Sequence, residues 1–218
     1  MPQRSIFRWK EGRGWLVIAS GASTEIRGMA LNRLAADGAI ACVAPGQDSS
    51  FADVILDDFA DLGAPSGYVV DLQSEDDDTL LNRLGEASLI VINGHTLPSE
   101  ARSELMGAAM DGIAQAYENG AIILAEGDAG IVFGLQLYDS DEITGFNWIE
   151  NTIILPGIEI EGVEAFANHA LVEYPDRLAI MIGDQSAMAF GGDGQIETWG
   201  LQQVTLRMGP AFGQNSEG

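Results

Sequence analysis

Between Trp15 and Ala125 the chain alternates short apolar runs with longer segments whose apolar positions recur every three or four residues. The runs Trp15–Ala19, Ala39–Ala44, Tyr68–Leu72, Ser88–Ile92 and Ala121–Ala125 read as strands. Between them, Thr24–Asp37 reads as a helix with Ile26, Met29, Ala30 and Leu34 on one face. Phe51–Leu62 reads as a second helix, with Val54, Ile55, Phe59 and Leu62 at helical spacing. Asp77–Leu84 is predicted as a short helix, its positive end favoured by the acidic run Glu75–Asp78. Pro98–Glu118 is predicted as one long helix opening at Pro98 or Ser99. Alternation of this kind argues for a three-layer α/β/α sandwich around a mostly parallel sheet, flavodoxin-like in outline. Near-continuous apolar strands such as Leu89–Ile92 suit burial on both faces.

Past Gly134 the rhythm changes. Asp139–Glu142 is a polar loop, Ile153–Leu155 a short strand and Val163–Val172 a helix. Leu178–Ile182, Ala187–Phe190, Ile196–Trp199 and Val204–Met208 follow closely, joined by glycine-rich turns. They read as antiparallel hairpins closing an edge of the sheet. Gly191-Gly-Asp-Gly194 is such a turn; without a following helix it is not a phosphate loop. One α/β domain over residues 1–212 and a disordered tail from Gly213 to Gly218 are expected.

Composition narrows the function. The chain has 218 residues, with 33 acidic and 10 basic side chains, for a net charge of −23. Five of the ten basic residues (Arg4, Arg8, Lys10, Arg13 and Arg27) fall within the first 27 positions, so the rest is strongly acidic. Such a field repels nucleic acid and anionic membranes, and neither is an expected partner. No run approaches the roughly 18 apolar residues of a membrane span. The first residues lack a secretory apolar region, so a cytoplasmic location is expected. Cys42 is the only cysteine and lies in an apolar run, which excludes a disulfide framework and favours a packing role.

Candidate chemistry gathers at strand ends. Ile18-Ala-Ser-Gly21-Ala-Ser-Thr-Glu-Ile-Arg27 has a glycine where a dinucleotide loop needs its first. Glu25 and Arg27 stand at the other two places, so a plain turn capped by Ser23 or Thr24 is the better reading. The strand at Ile92 opens into Asn93-Gly94-His95, where backbone amides can face a ligand. Glu126-Gly127-Asp128-Ala129-Gly130-Ile131 follows the strand Ala121–Ala125 in the manner of a strand–turn–helix elbow, which lifts one side chain into a cleft. That side chain is Asp128, whose carboxylate is a poor substitute for a hydroxyl or thiol nucleophile. As alternatives to a helix-capping role, Asp128 can act as a carboxylate nucleophile, a general base or a metal ligand. The sequence leaves open whether Glu126 shares its cleft. His169, on the helix Val163–Val172, is a base partner or a half-buried helical residue. No Cys/His set has zinc spacing and no P-loop occurs, so no metal or cofactor is expected.

In this order, these pieces resemble the peptidase E and cyanophycinase family of serine hydrolases, within the class I glutamine amidotransferase-like fold. That family's Gly-Gly-(Asn/Asp)-Gln segment is matched by Ile92-Asn93-Gly94-His95. Its Gly-Thr-Ser-Ala-Gly-Ala elbow is matched by Glu126–Ile131, with Ala129 and Gly130 identical and Asp128 in the serine's place. His169 stands at a distance compatible with the family's histidine. In Ile182-Gly183-Asp184-Gln185-Ser186-Ala187, Gln185 replaces an acid found in some members. The hairpin Asp193–Gly200 is also similar. The resemblance implies a scaffold whose catalytic triad is dismantled: a pseudoenzyme that binds a small molecule or a partner, and a homodimer paired through a sheet edge. Asn93, Gly94, His95, Gly127, Ala129 and Gly130 would line the ligand site. The alternative is a hydrolase with changed chemistry, using Asp128 as nucleophile or base with His95 or His169.

Overall fold

The structure is a computed structural model that describes residues 7–34, 38–47, 49–94, 96–140, 142–157 and 160–213. Five parallel strands form most of one sheet: β1 (Trp15–Ala19), β2 (Ile40–Val43), β3 (Gly67–Val70), β4 (Leu89–Asn93) and β5 (Ile122–Glu126). Two further strands, β8 (Ser186–Gly191) and β9 (Ile196–Gly200), extend it antiparallel, in the order β3-β2-β4-β5-β1-β8-β9. One face, through Val17, Cys42, Val91 and Leu124, packs on α1 (Thr24–Leu31) and α2 (Ser49–Asp61). The other, through Ile18, Val43, Ile92 and Ile123, packs on α3 (Asp77–Gly85), α4 (Pro98–Leu105) and α5 (Ala108–Asn119). Alternate side chains of each strand thus feed two different cores, which is why these strands are apolar on both faces until Asn93 and Glu126 at the ends of β4 and β5.

The α/β fold is as the hydrophobic pattern predicts, with three differences of detail. The expected helix over 98–118 breaks at Met106 and Gly107. Met106 is extended and Gly107 takes φ 95°, ψ −136°, a backbone state that side chains disfavour. The first helix ends at Leu31, capped by Asn32, rather than at Asp37; residues 35–37 lie outside the described set. The C-terminal strands do not all close one edge. Only β8 and β9 join the main sheet as a hairpin, turning at Gly191–Gly194. Strands β6 (Thr152–Pro156), β7 (Leu178–Ile182) and β10 (Val204–Met208) make a separate sheet in the order β10-β7-β6, in which β6 and β7 run parallel. Its inner residues Ile154, Ile180 and Ile182 join the core of α3–α5. Its outer residues Ile153, Leu155, Ala179 and Met181 pack on α6 (Ile160–Glu173). The tail expected to be disordered lies, from residue 214 onward, outside the described residues.

Local signals act as predicted at two helix starts. Ser23 caps α1, its Oγ accepting the Ile26 N–H at 3.5 Å. Asp76 caps α3, accepting the Thr79 N–H at 2.8 Å, with Asp77 and Asp78 in the first turn. Among the described residues, no helix is long and apolar enough to cross a membrane. Cys42 is fully buried in β2, and burial pushes its thiol up to about 12.

Candidate functional site

At the carboxyl ends of β1, β4 and β5 the sheet stops against a cleft of about 410 Å³. Open α/β sheets place ligands at this edge. Ser20 and Gly21 after β1, Asn93 and Gly94 at β4, and Gly127 and Asp128 after β5 form its base. Helix α2 supplies one wall with Phe51, Val54, Ile55 and Asp58, and Pro156 and Gly157 at the end of β6 supply another side.

The floor is a buried ionic network. Parallel pairing sets Asn93 of β4 beside Glu126 of β5, so both side chains leave the sheet on the face covered by α1 and α2. Arg27 follows the core residue Ile26 on α1 and reaches back to meet them. Its Nε donates to Glu126 Oε1 at 2.8 Å and its Nη2 to Oε2 at 2.7 Å, a bidentate pair. Asn93 Nδ2 donates to Glu126 Oε2 at 2.6 Å. Arg27 Nη1 donates to Asp58 Oδ2 at 2.7 Å, and the guanidinium lies 5.2 Å from the centre of the Phe59 ring. Arg27 is 4% exposed and Glu126 1%. Burial acts to lower the Arg27 pKa, but the hydrogen bonds and charges of Glu126 and Asp58 outweigh it and hold the guanidinium above its usual value. With both its oxygens engaged, Glu126 ties α1, β4 and β5 together in the floor.

The bend after β5 differs from the expected elbow in one respect. Its left-handed position is Gly127, at φ 63°, one residue before Asp128. Asp128 lies in the first turn of the 3₁₀ helix Gly127–Phe133, half-buried and on the cleft. Glu126 and Asp128 therefore share the cleft, one in the floor and one on its surface. Asp128 also acts on Tyr138, whose phenol is pushed up by burial and then by the charges of Asp128 and Asp139.

The other expected site residues divide. Asn93, Gly94 and Gly127 line the cleft. Gly94 answers a packing need as well: a Cβ there would lie 2.2 Å from the Pro45 carbonyl oxygen. Ala129 and Gly130 do not line it. Both are buried, and a Cβ on Gly130 would meet Ile18 Cγ2 at 2.7 Å, so the matching Ala-Gly pair packs the 3₁₀ helix against β1. His169 is exposed on α6 and is not among the cleft residues. His95 lies outside the described residues. The helical face read for α2 also needs correction. Ile55 and Phe59 are core, but Val54 is 58% exposed and faces the cleft. Arg27 and Asp58 were not anticipated; the available signal was a lone arginine flanked by core positions and a lone glutamate ending an apolar strand. Among the described residues, no three His, Cys, Asp or Glu side chains gather closely enough to hold a metal ion.

No family model matches this chain, and no curated protein matches it. Its fold is that of solved peptidases. A peptidase from an acI-B1 Actinobacterium superposes with a TM-score of 0.65 at 13% identity, over 91% of this chain and 96% of that one. A candidate peptidase E protein from Listeria monocytogenes EGD-e superposes with a TM-score of 0.64 at 12% identity, over 86% of this chain and 98% of that one. At this identity the likeness is one of architecture, including the mostly parallel central sheet and the antiparallel strands that follow it.

Proposed function

We propose that this protein keeps a peptidase E-type hydrolase fold without serine-peptidase chemistry, and that its cleft holds a small ligand. The observation that supports this most is the bend after β5. Acyl transfer from a nucleophile elbow needs a hydroxyl or thiol on the strained residue and a base to take its proton. Here the left-handed position of the bend is Gly127, which has no side chain, and the next residue offers a carboxylate. The nearby hydroxyls have structural work. Ser20 Oγ accepts the Ser186 N–H at 3.3 Å. Ser186 is fully buried, its Oγ donating to the Asp184 carbonyl and accepting the Gln203 N–H.

One observation favours a second reading, a hydrolase with altered chemistry: Asp128 lines the cleft, where a substrate carbon could meet its carboxylate. Incubation with acidic dipeptides and β-aspartyl peptides separates the two. The expected result is no product above the buffer rate. Robust cleavage that disappears in Asp128→Ala would replace the first reading with the second.

A further inference from the structure

Strand β10 has one unpaired edge. Among the described residues it pairs with β7 alone, Val204 opposite Ile182 and Met208 opposite Leu178. Just beyond its two ends, the Gly183 N–H donates to the Gln203 carbonyl at 2.7 Å and the Gly209 N–H to the Arg177 carbonyl at 2.9 Å. In an antiparallel ladder, residues that exchange such bonds alternate with residues whose N–H and C=O point the other way. Thr205 and Arg207 therefore bond towards β7, while Leu206 and Met208 turn both backbone groups outward. Val204 offers its carbonyl there, its N–H being held by the Gln202 carbonyl at 3.0 Å. The side chains of Val204, Leu206 and Met208 stand on the face that includes Ile180 and Ile182. Leu206 is nevertheless 43% and Met208 56% exposed, because the strand overhangs the core. Native edge strands are commonly blunted by charge, proline or a covering element. β10 has no proline, and its one charge, Arg207, is held on the other face by Glu164 and Asn168 of α6. From Thr198 to Gly213 the chain has no acidic residue, although 33 of its 218 residues are acidic.

We propose that two copies of this chain pair through β10, antiparallel about a two-fold axis at Leu206. Leu206 then exchanges both backbone hydrogen bonds with its own counterpart, and the Met208 N–H of each copy meets the Val204 carbonyl of the other. Val204, Leu206 and Met208 of both copies close into one apolar cluster. Thr205 stands opposite Arg207, so no like charges meet. A chain of net charge −23 repels its own kind, and this acid-free edge is where a second copy can approach most closely. The second copy is the occupant because the strand complements itself about the axis in hydrogen bonds, apolar side chains and charge. β10 does not line the cleft, so either outcome leaves the reading of the cleft as it stands.

Sedimentation velocity over a range of protein concentrations tests it. One strand pair is a small interface, so a monomer–dimer equilibrium with a Kd of about 10–100 µM is expected. It should tighten several-fold as salt rises, because salt screens the repulsion between the copies. A contact made of ion pairs would weaken instead, and that result would overturn the proposal. Leu206→Lys sets like charges face to face and should hold the protein monomeric, although it lowers the net charge. Val172→Lys makes the same charge change on α6, at a residue 79% exposed, and should still dimerise. Leu206→Cys reads the register. Opposite residues of such a pair lie about 5.5 Å apart at Cα, within disulfide range, so mild oxidation should link the copies. Thr205→Cys stands opposite Arg207 and should not link, and the buried Cys42 gives no background. A monomer at every concentration and salt, a dimer that survives Leu206→Lys, or one lost equally in Val172→Lys would each overturn the proposal. Equal linking by both cysteines would overturn the axis at Leu206. Growth beyond the dimer would overturn the closed pair in favour of an unspecific adhesive edge.

Discussion

Arg27→Ala is expected to lower the folding stability by about 3–5 kcal/mol, the range for removing one partner of a buried ion pair. The size of the effect follows from what remains. Glu126, 1% exposed, would keep the Asn93 amide but lose both guanidinium hydrogen bonds. Its charge would then be buried without a counter-charge, or the side chain would take up a proton at the expense of folding. Asp58 contributes less, because it is largely exposed and its pairing is screened by water. Replacing both members together, Arg27→Met with Glu126→Leu, should recover most of the loss, since well-packed apolar groups often equal a buried pair. Urea unfolding of the three proteins checks this. A single-variant loss under about 1 kcal/mol would mean that the pair is not the sealed floor described.

Trp199→Ala should destabilise to a similar degree, about 3–5 kcal/mol. Trp199 is fully buried although β9 is the edge of the main sheet. Its ring lies 6.3 Å from that of Trp15, and the Arg33 guanidinium sits 4.6 Å from Trp199 and 5.0 Å from Trp15. Its Nε1 donates to Glu197 Oε2 at 2.7 Å, and the same carboxylate oxygen pairs with Arg33. The indole shares one core with Ile26 and Ala30 of α1, so it clamps onto the sheet the helix that carries Arg27. Truncation leaves a large void beneath that helix, and the cleft floor should loosen with it. Trp199→Phe keeps much of the volume and should lose distinctly less. Thermal and urea unfolding of both variants give the comparison, and equal losses would point to the indole N–H rather than the packing.

The parallel half of the fold was legible because its strands are near-continuous apolar runs and each helix carries a separate stripe. What escaped depends on long-range geometry. Val204–Met208 pairs with Leu178–Ile182 rather than with its sequence neighbour Ile196–Trp199, and no local spacing encodes that choice. Gly107 was absorbed into a helix because an isolated glycine within a periodic pattern is usually tolerated. Its left-handed backbone and the extended Met106 before it make it the break instead. At the site, Asn93, Gly94, Gly127 and Asp128 could be located because strand ends and glycines mark them. Arg27 looked like a misfit in a glycine loop, since its partner Glu126 is 99 residues away in sequence. Ala129 and Gly130 misled for the opposite reason: the family-like pair serves packing against Ile18.

Labelling with an organofluorophosphonate, followed by intact mass measurement, tests most directly whether an activated serine exists here. Such a reagent phosphorylates a serine only where a neighbouring base activates its hydroxyl. With Gly127 at the left-handed bend and Asp128 beside it, the folded protein should keep its native mass after prolonged exposure. A stoichiometric adduct mapped to a serine on the cleft, Ser20 above all, would contradict the account.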